Sequence, residues 1–489
     1  MSMMLYADTT PLVEAISAGG ESRIIAETLK LLGQRNLKPA KVAGRVGLDA
    51  LWGAGDPATL APLASSGRLV DWMRALPPGP EPGEEVRMRL APATPLVQAF
   101  MLAQAAVATG ARETKPDFPE AIEPMEIPER KSVHAALTEA FDAHDVTMMR
   151  RILLGLHATG ADYRAMLEAL YVATRFRYVG AGEPLVWITT ASEILDMAEW
   201  GGNNPPFIYW ITSKLADTRP NSLIGETARA YAADPKSDLT WLRTRLSIPK
   251  NEAAGGAFQA ALTSGDAAAA CDATLAALRG GATPSGVASG MALAVAERIT
   301  TVPAGDSAAL LAVGRTLRYI HGVAAAMRQT QQPDTWPLLY TAASAISALG
   351  QIAPVGLPAT PSVPVGGLLP AGLLRQLENQ VVMGDASSAI VAARRYMQIE
   401  NAPRSFAGAV SLAIAQTDPV AGAPTAEAIP LVAAALAEYL ALPAALANNG
   451  QNALLSAAVR LATDLRGDRA RADRINAAIE QAVVGVGRN

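Results

Sequence analysis

The stretch DVTMMRRILLGLHATG, residues 145–160, contains the signals for both ends of one helix. Asp145 precedes an apolar run, and an Asp at that position accepts a hydrogen bond from a free backbone N–H of the first helical turn. Gly160 follows fifteen residues later and tolerates the left-handed conformation in which many helices end. Leu153 and Leu156 have helical spacing. The stretch therefore predicts a helix between Asp145 and Gly160.

The same pattern recurs twice further along the chain. Asp266 lies 121 residues after Asp145, Asp385 lies 119 residues after Asp266, and each precedes an Ala-rich apolar stretch. These stretches end at Gly280 with Gly281 and at Asn401, which also tolerate the left-handed conformation. The next predicted helix aligns in all three copies, at residues 167–177, 290–300 and 408–418. We interpret the pattern as an internal repeat.

A fourth, more diverged copy is predicted near the N-terminus, where Glu21 begins a helix and residues 54–56 (AGD) match residues 304–306. Because β-branched alternation is scarce and apolar residues recur at spacings of three and four, the predicted class is all-α. We expect four tandem helical units of about 120 residues, stacked as a curved solenoid or as two pseudo-symmetric pairs. The predicted segments are 1–112 (diverged unit), 113–130 (Pro-rich linker), 131–250, 251–352 (units), 353–370 (Pro/Gly-rich linker) and 371–489 (unit).

Composition narrows the classes of function. The 489 residues include 41 Lys and Arg against 45 Asp and Glu, a net charge of −4, so the chain lacks the excess of basic residues typical of nucleic-acid binding. Cys271 is the single cysteine, which excludes an intrachain disulfide and fits a reducing, cytoplasmic compartment. Residues 94–111 and 432–447 are the most apolar stretches, but polar residues interrupt both. We therefore expect a soluble protein that binds neither nucleic acid nor membrane.

Part of the chain resembles a known group of proteins. The motifs LLGLH (153–157), ALYVATRF (169–176) and ASEILDMAEWGG (191–202) lie in a region, 151–202, that is similar to the helical region accompanying a Rieske-type module in some bacterial proteins. Residues 265–327 resemble the next part of that region, which is also similar to questin-oxidase-like helical proteins, a group associated with oxygenase chemistry. The resemblance implies an association with redox chemistry.

The resemblance does not extend to the Rieske ligands. A Rieske centre needs two Cys and two His on one cluster, whereas this chain has one Cys and four His. Any redox role would therefore depend on a partner protein or on a bound small molecule.

The sequence contains no known catalytic motif. Walker A, dinucleotide-binding, nucleophile-elbow, zincin and EF-hand patterns are all absent. The four histidines are His134, His144, His157 and His321, and no two of them have the spacing that places metal ligands on one helical face. We expect no metal and no cofactor, and the sequence identifies no catalytic residue.

His321 is the histidine with the most polar surroundings. Arg318 lies three residues before it and can share its helical face. Glu297 and Arg298, in the preceding predicted helix, could reach both. Such a group is either an interhelical network that sets helix register or part of a ligand pocket. We favour the network and keep the pocket as the alternative.

Aromatic residues are concentrated in one segment. Seven of the 24 aromatics fall within 35 residues: Phe176, Tyr178, Trp187, Trp200, Phe207, Tyr209 and Trp210. They could line a pocket for an apolar or aromatic molecule, with Arg175 and Arg177 available for its polar groups. The simpler interpretation is that large rings fill the core between Ala-rich helices.

Two hypotheses for function follow. In the first, the chain is a cytoplasmic helical-repeat interaction or accessory protein that docks a protein partner, with a redox enzyme as the partner that the resemblance implies. In the second, it is a metal-free small-molecule-binding protein or an oxygenase-like enzyme with an aromatic pocket. The predicted pocket residues are Arg175, Tyr178, Trp187, Trp210, Arg298 and His321.

Overall fold

The fold is entirely helical in the described part of the chain. The computed structural model describes residues 8–34, 37–78, 83–112, 117–244, 254–330, 332–351, 369–421, 423–442 and 453–486. Helix accounts for 79%, and these residues contain no strand. The predicted all-α class is thus confirmed. The predicted linker at 353–370 lies outside the described residues except at its last two positions.

The described residues form 23 α-helices. They are α1 (Thr10–Ala18), α2 (Glu21–Leu32), α3 (Pro39–Trp52), α4 (Pro57–Met73), α5 (Glu84–Leu90), α6 (Ala93–Arg112), α7 (Val133–Asp142), α8 (Val146–Ala158), α9 (Tyr163–Thr174), α10 (Glu183–Ala198), α11 (Asn204–Ala216), α12 (Leu223–Ala232), α13 (Gly256–Leu262), α14 (Ala267–Arg279), α15 (Pro284–Thr301), α16 (Ser307–Gln329), α17 (Leu338–Ala348), α18 (Pro370–Met383), α19 (Ala386–Ile399), α20 (Pro403–Ala415), α21 (Ala423–Ala441), α22 (Ala453–Asp464) and α23 (Ala470–Val486).

The predicted helix caps are present. The carboxylates of Asp145, Asp266 and Asp385 each accept hydrogen bonds from first-turn backbone N–H groups, of α8, α14 and α19 respectively. Gly160 and Asn401 follow α8 and α19 with positive φ angles of 70° and 51°. These local signals act within one helical turn, which is why they can be recognised in sequence.

Four helices enclose the centre of the fold. Helix α4 packs against α10 and α21, and α16 packs against the same two helices, so α4, α10, α16 and α21 form a closed ring. We call these the central helices. Residues near the start of each line one cavity, and residues two to three turns later meet in a buried cluster, so all four run in the same direction.

Small residues allow the helices of the ring to approach closely. A Cβ atom at Gly67 of α4 would lie 1.7 Å from Sδ of Met197, at the C-terminal end of α10. A Cβ at Gly322 of α16 would lie 3.0 Å from Oγ1 of Thr189 in α10. A larger side chain at either glycine would require the neighbouring side chain of α10 to shift. Glycine at these two positions therefore favours the close approach of α4 and α16 to α10.

The two ends of the described chain are in direct contact. Helix α4 packs against α20 and α21, and the carboxylate of Glu21 accepts hydrogen bonds from Arg471 and Arg474 of α23. In an open solenoid each repeat contacts only its neighbours. The first and last quarters of this chain instead meet beside the central helices.

Within the described ranges, one segment, Glu84–Ala111, is long and apolar enough to cross a membrane by length and composition. Its most apolar window is 67% buried inside the fold. Helix α6, which forms most of the segment, packs against α1, α3 and α4. A core helix of a soluble protein has the same composition, so the segment is weak evidence for a membrane span.

Candidate functional site

Each central helix contributes one charged or polar side chain to a buried group, which we call the central cluster: Arg68, Glu193, His321 and Glu438. Nδ1 of His321 lies 2.6 Å from Oε1 of Glu438, and Nε2 lies 2.8 Å from Nη1 of Arg68. Nη2 of Arg68 lies 3.1 Å from Oε1 of Glu193. The His321 and Glu438 side chains are only 5% and 1% exposed. The cluster joins all four central helices through two hydrogen bonds and one ion pair.

The hydrogen-bond partners assign the form of His321. A guanidinium group has donors only, so Nε2 of His321 accepts from Arg68. The proton on Nδ1 is then donated to the carboxylate of Glu438. This arrangement corresponds to a neutral imidazole with one assigned tautomer.

Glu438 is held as a carboxylate by a second arginine. Burial by itself would raise the pKa of Glu438, but the charge of Arg328 and the hydrogen bonds from His321 and Arg328 lower it to about 2. Arg328 donates to both carboxylate oxygens, at 3.1 and 2.7 Å. Burial is likewise the largest single effect on Glu193 and raises its pKa, but Arg68, His321 and Arg318 together outweigh it, so the pKa of Glu193 is also lowered. Both carboxylates are therefore paired anions.

A very small cavity lies beside the central cluster. Its volume is about 10 Å³, roughly the space for one water molecule. Ser65, Thr189 and Thr190 supply hydroxyl groups to its wall, and Arg318 and His321 close it. The cavity is too small for an organic ligand, and the paired charges around it describe an interhelical network.

A much larger cavity opens at the N-terminal ends of the central helices, and we call it the N-terminal cavity. Its volume is about 640 Å³. Tyr178 and Trp187 form an aromatic wall, and Val186, Ile224 and Leu349 add apolar surface. The charged groups in its lining are Glu183, Arg315, Arg318 and Glu427. This combination of apolar wall and a few polar groups is typical of a small-molecule site.

The two arginines of the N-terminal cavity differ in their partners. Nε and Nη2 of Arg315 donate to the two carboxylate oxygens of Glu427, both at 2.6 Å. Arg318 instead donates to the hydroxyl of Thr190 at 2.8 Å and has no carboxylate within ion-pair distance among the described residues. Burial lowers the pKa of Arg318 to about 10, against the opposing effect of Glu193 and Glu427. Burial raises the pKa of Glu183.

A third cavity, of about 280 Å³, lies at the opposite end of the central helices. Lys41 pairs there with Glu199, while Asp71 and Asp196 have pKa values that burial raises. Across the described chain, no group of three or more His, Cys, Asp or Glu side chains could hold a metal ion. This cavity is smaller and more highly charged than the N-terminal cavity.

The predicted pocket residues are distributed over four environments. Tyr178 and Trp187 line the N-terminal cavity, and His321 belongs to the central cluster. Trp210 is fully buried in the core, where its Nε1 donates to the carbonyl of Gly55 at 2.8 Å. The remaining two residues, Arg175 and Arg298, contact backbone outside the cavity.

The two arginines of the prediction bind carbonyl groups. Nη1 of Arg175 donates to the carbonyl of Val172 at 2.9 Å, and its guanidinium lies over the ring of Phe176. Nη2 of Arg298 donates to the carbonyls of Leu349 and Gly350, so it supports one wall of the N-terminal cavity from behind. The network that we favoured for His321 is present, but Arg68, Glu193 and Glu438 form it in place of Glu297 and Arg298.

Sequence reasoning did not select Arg68, Glu193, Glu438 or Arg328 as site residues. One signal was available: Glu438 lies in one of the most apolar stretches of the chain, where a charge is costly unless it is paired. Its partners lie more than 100 residues away in sequence, at separations of 117 and 110. A single sequence does not identify contacts over such distances.

Comparisons with protein-family models, curated proteins and solved structures found no match to this chain. The class is therefore defined by the fold and the cavities alone. It is an all-α protein in which four central helices enclose a paired polar cluster and open at one end into a mainly apolar cavity.

Proposed function

We propose that the chain is a metal-free small-molecule-binding protein and that the N-terminal cavity is its binding site. The observation that supports this most directly is the cavity of about 640 Å³ with Tyr178 and Trp187 in its wall. Ligand sites commonly measure about 300–1,000 Å³ and combine apolar walls with a small number of polar groups. The expected ligand is an apolar or aromatic molecule.

We also propose that the four predicted units each supply one central helix. The caps of corresponding helices support this: Asp56 precedes α4 and Asp306 precedes α16, and the carboxylate of each accepts a hydrogen bond from a first-turn backbone N–H. The proposed arrangement is a closed ring of four units, with the cavity at the end where the central helices begin. A ring explains how four distant segments can line one site.

The alternative function, docking of a protein partner such as a redox enzyme, is less well supported. Seven large hydrophobic side chains are strongly exposed among the described residues, and they are spread along the chain from Met125 to Val484. Single exposed apolar residues are normal on a protein surface. A cytoplasmic location, based on the one buried cysteine, and the oxygenase-like chemistry that the resemblance implies stay predictions.

The first test is mass spectrometry under native conditions. The mass of the chain is 50.8 kDa. We expect a small additional mass that is lost on denaturation if a ligand is retained during purification. Its identity would show directly which molecule the cavity binds.

The second test uses a neutral aromatic probe, 2-naphthamide, in isothermal titration calorimetry. Ala348 lines the N-terminal cavity, so Ala348→Trp should fill part of it and weaken binding at least about tenfold. Ala477→Trp, on the exposed side of α23, is the matched control and should leave binding unchanged. Equal affinity in the two variants would contradict the proposed site. Absence of probe binding and of any retained mass would contradict the proposed function.

A further inference from the structure

Arg318 is the arginine of the N-terminal cavity that has no ion-pair partner among the described residues. Its guanidinium carries five N–H donors, and the hydroxyl of Thr190 is its hydrogen-bond partner among the described residues. The Thr190 hydroxyl uses its own hydrogen for the carbonyl of Val186, at 2.8 Å. Arg318 lines both the N-terminal cavity and the small central cavity.

Two other polar residues of the cavity lining, Thr316 and Tyr178, are neutral. Thr316 donates its hydroxyl hydrogen to the carbonyl of Ala312 at 3.2 Å, and Tyr178 forms a hydrogen bond with Thr316. Neither group carries a negative charge at neutral pH. An anion supplied from outside would therefore complete the hydrogen bonding of Arg318.

The remaining charges limit that anion to one negative charge. Arg315 and Glu427 neutralise each other through two short hydrogen bonds. Glu183, the first residue of α10, adds a carboxylate to the cavity lining. A second negative charge on the ligand would face the carboxylate of Glu183 and be repelled. The lining thus combines one arginine that has no ion-pair partner with a carboxylate that disfavours a dianion.

We propose that the ligand of the N-terminal cavity is a monocarboxylate with an apolar body, and that Arg318 binds its carboxylate. The inference depends on the proposed function, because it names the ligand class of the same site. A carboxylate matches the planar guanidinium through two parallel hydrogen bonds. The apolar body then contacts Trp187, Val186 and Ile224, which line the same cavity. Arg318 is a binding residue that the sequence hypothesis placed only in the His321 network.

The experiment compares three probes of similar shape: 2-naphthoate, 2-naphthamide and 2-naphthyl phosphate. Binding is measured by titration calorimetry on the full chain at pH 8. We expect 2-naphthoate to bind at least about tenfold more tightly than the amide, since a hydrogen bond to a charged group contributes that much. The phosphate should bind more weakly than the carboxylate because it is a dianion.

Variants of Arg318 test the anchor itself. Arg318→Gln should weaken 2-naphthoate binding about 10- to 100-fold and change 2-naphthamide binding less than about threefold. Arg318→Lys retains the charge but loses the planar pair of donors, so it should fall between Gln and wild type. It also serves as the second variant if Arg318→Gln does not fold.

Each outcome has a separate meaning. Equal binding of carboxylate and amide, or full carboxylate binding by both Arg318 variants, would overturn the ligand class and leave the proposed site intact. Tighter binding of the phosphate would overturn the limit to one charge. Loss of all three probes from wild-type protein would overturn the proposed function itself.

Discussion

The central cluster and the N-terminal cavity use neighbouring residues of one helix in opposite ways. His321 and Arg318 lie three residues apart on α16. Around His321 every charged group has an opposite partner: Glu438 with Arg328, and Glu193 with Arg68. Around Arg318 the hydrogen-bond partner is a hydroxyl. We interpret the central cluster as a network that stabilises the ring of helices. We interpret the N-terminal cavity as the proposed binding site, in which a ligand would contact Arg318.

The largest effect is expected for a tryptophan of the core. Trp210→Ala should lower the free energy of unfolding by about 3–5 kcal/mol, because it empties a fully buried site and removes the hydrogen bond to Gly55. Trp187→Ala should lower the free energy of unfolding by less than half as much, and it should weaken 2-naphthamide binding. Urea denaturation and calorimetry measure the two effects. Trp72→Ala, at a half-buried Trp outside the cavity lining, is the matched binding control. Equal stability losses at Trp210 and Trp187 would remove the distinction between core and cavity wall.

The next largest effect concerns the central cluster. Glu438→Ala should lower the free energy of unfolding by about 3 kcal/mol, because it leaves the buried His321 without its acceptor and Arg328 without its counter-charge. Urea denaturation at neutral pH gives this value. A loss below about 1 kcal/mol would mean that the cluster does not hold the central helices together.

Low pH should reduce the stabilisation that the Glu438 carboxylate provides. Because the folded-state pKa of Glu438 is lowered from 4.5 to about 2, its stabilising effect is complete above pH 4.5 and is lost as the pH falls towards 2. We expect the urea midpoint to decrease from pH 6 to pH 3, and to decrease less in Glu438→Gln, which cannot ionise there. Identical decreases in the two proteins would assign the acid sensitivity to other carboxylates.

The smallest effect is expected at the N-terminal cavity. Glu427 lies on α21 like Glu438, but its partner Arg315 is half-exposed, with 48% of the side chain accessible. Glu427→Ala should therefore change the free energy of unfolding by less than about 1 kcal/mol. This variant is the matched control for Glu438→Ala. A loss as large as that at Glu438 would show that the cavity lining is also structural.

The sequence was sufficient to predict those features of the fold and the site that depend on residues within a single helix. It indicated the all-α class, and it identified Tyr178 and Trp187, which line the N-terminal cavity. It also selected Trp210, which is a core residue, because spacing along the chain does not distinguish a ring that faces a cavity from one that faces the interior.

What the sequence determined by itself was local: the helices, their Asp caps and their positive-φ ends, because capping involves residues within one turn of each other. What only the tertiary structure decided was which charges meet. Arg68 and His321 are 253 residues apart, and His321 and Glu438 are 117 residues apart. Their contact depends on the packing of four whole helices into a ring. The same packing leaves Arg318 with a hydroxyl partner in the lining of the N-terminal cavity, which is why we propose Arg318 as the anion-binding residue.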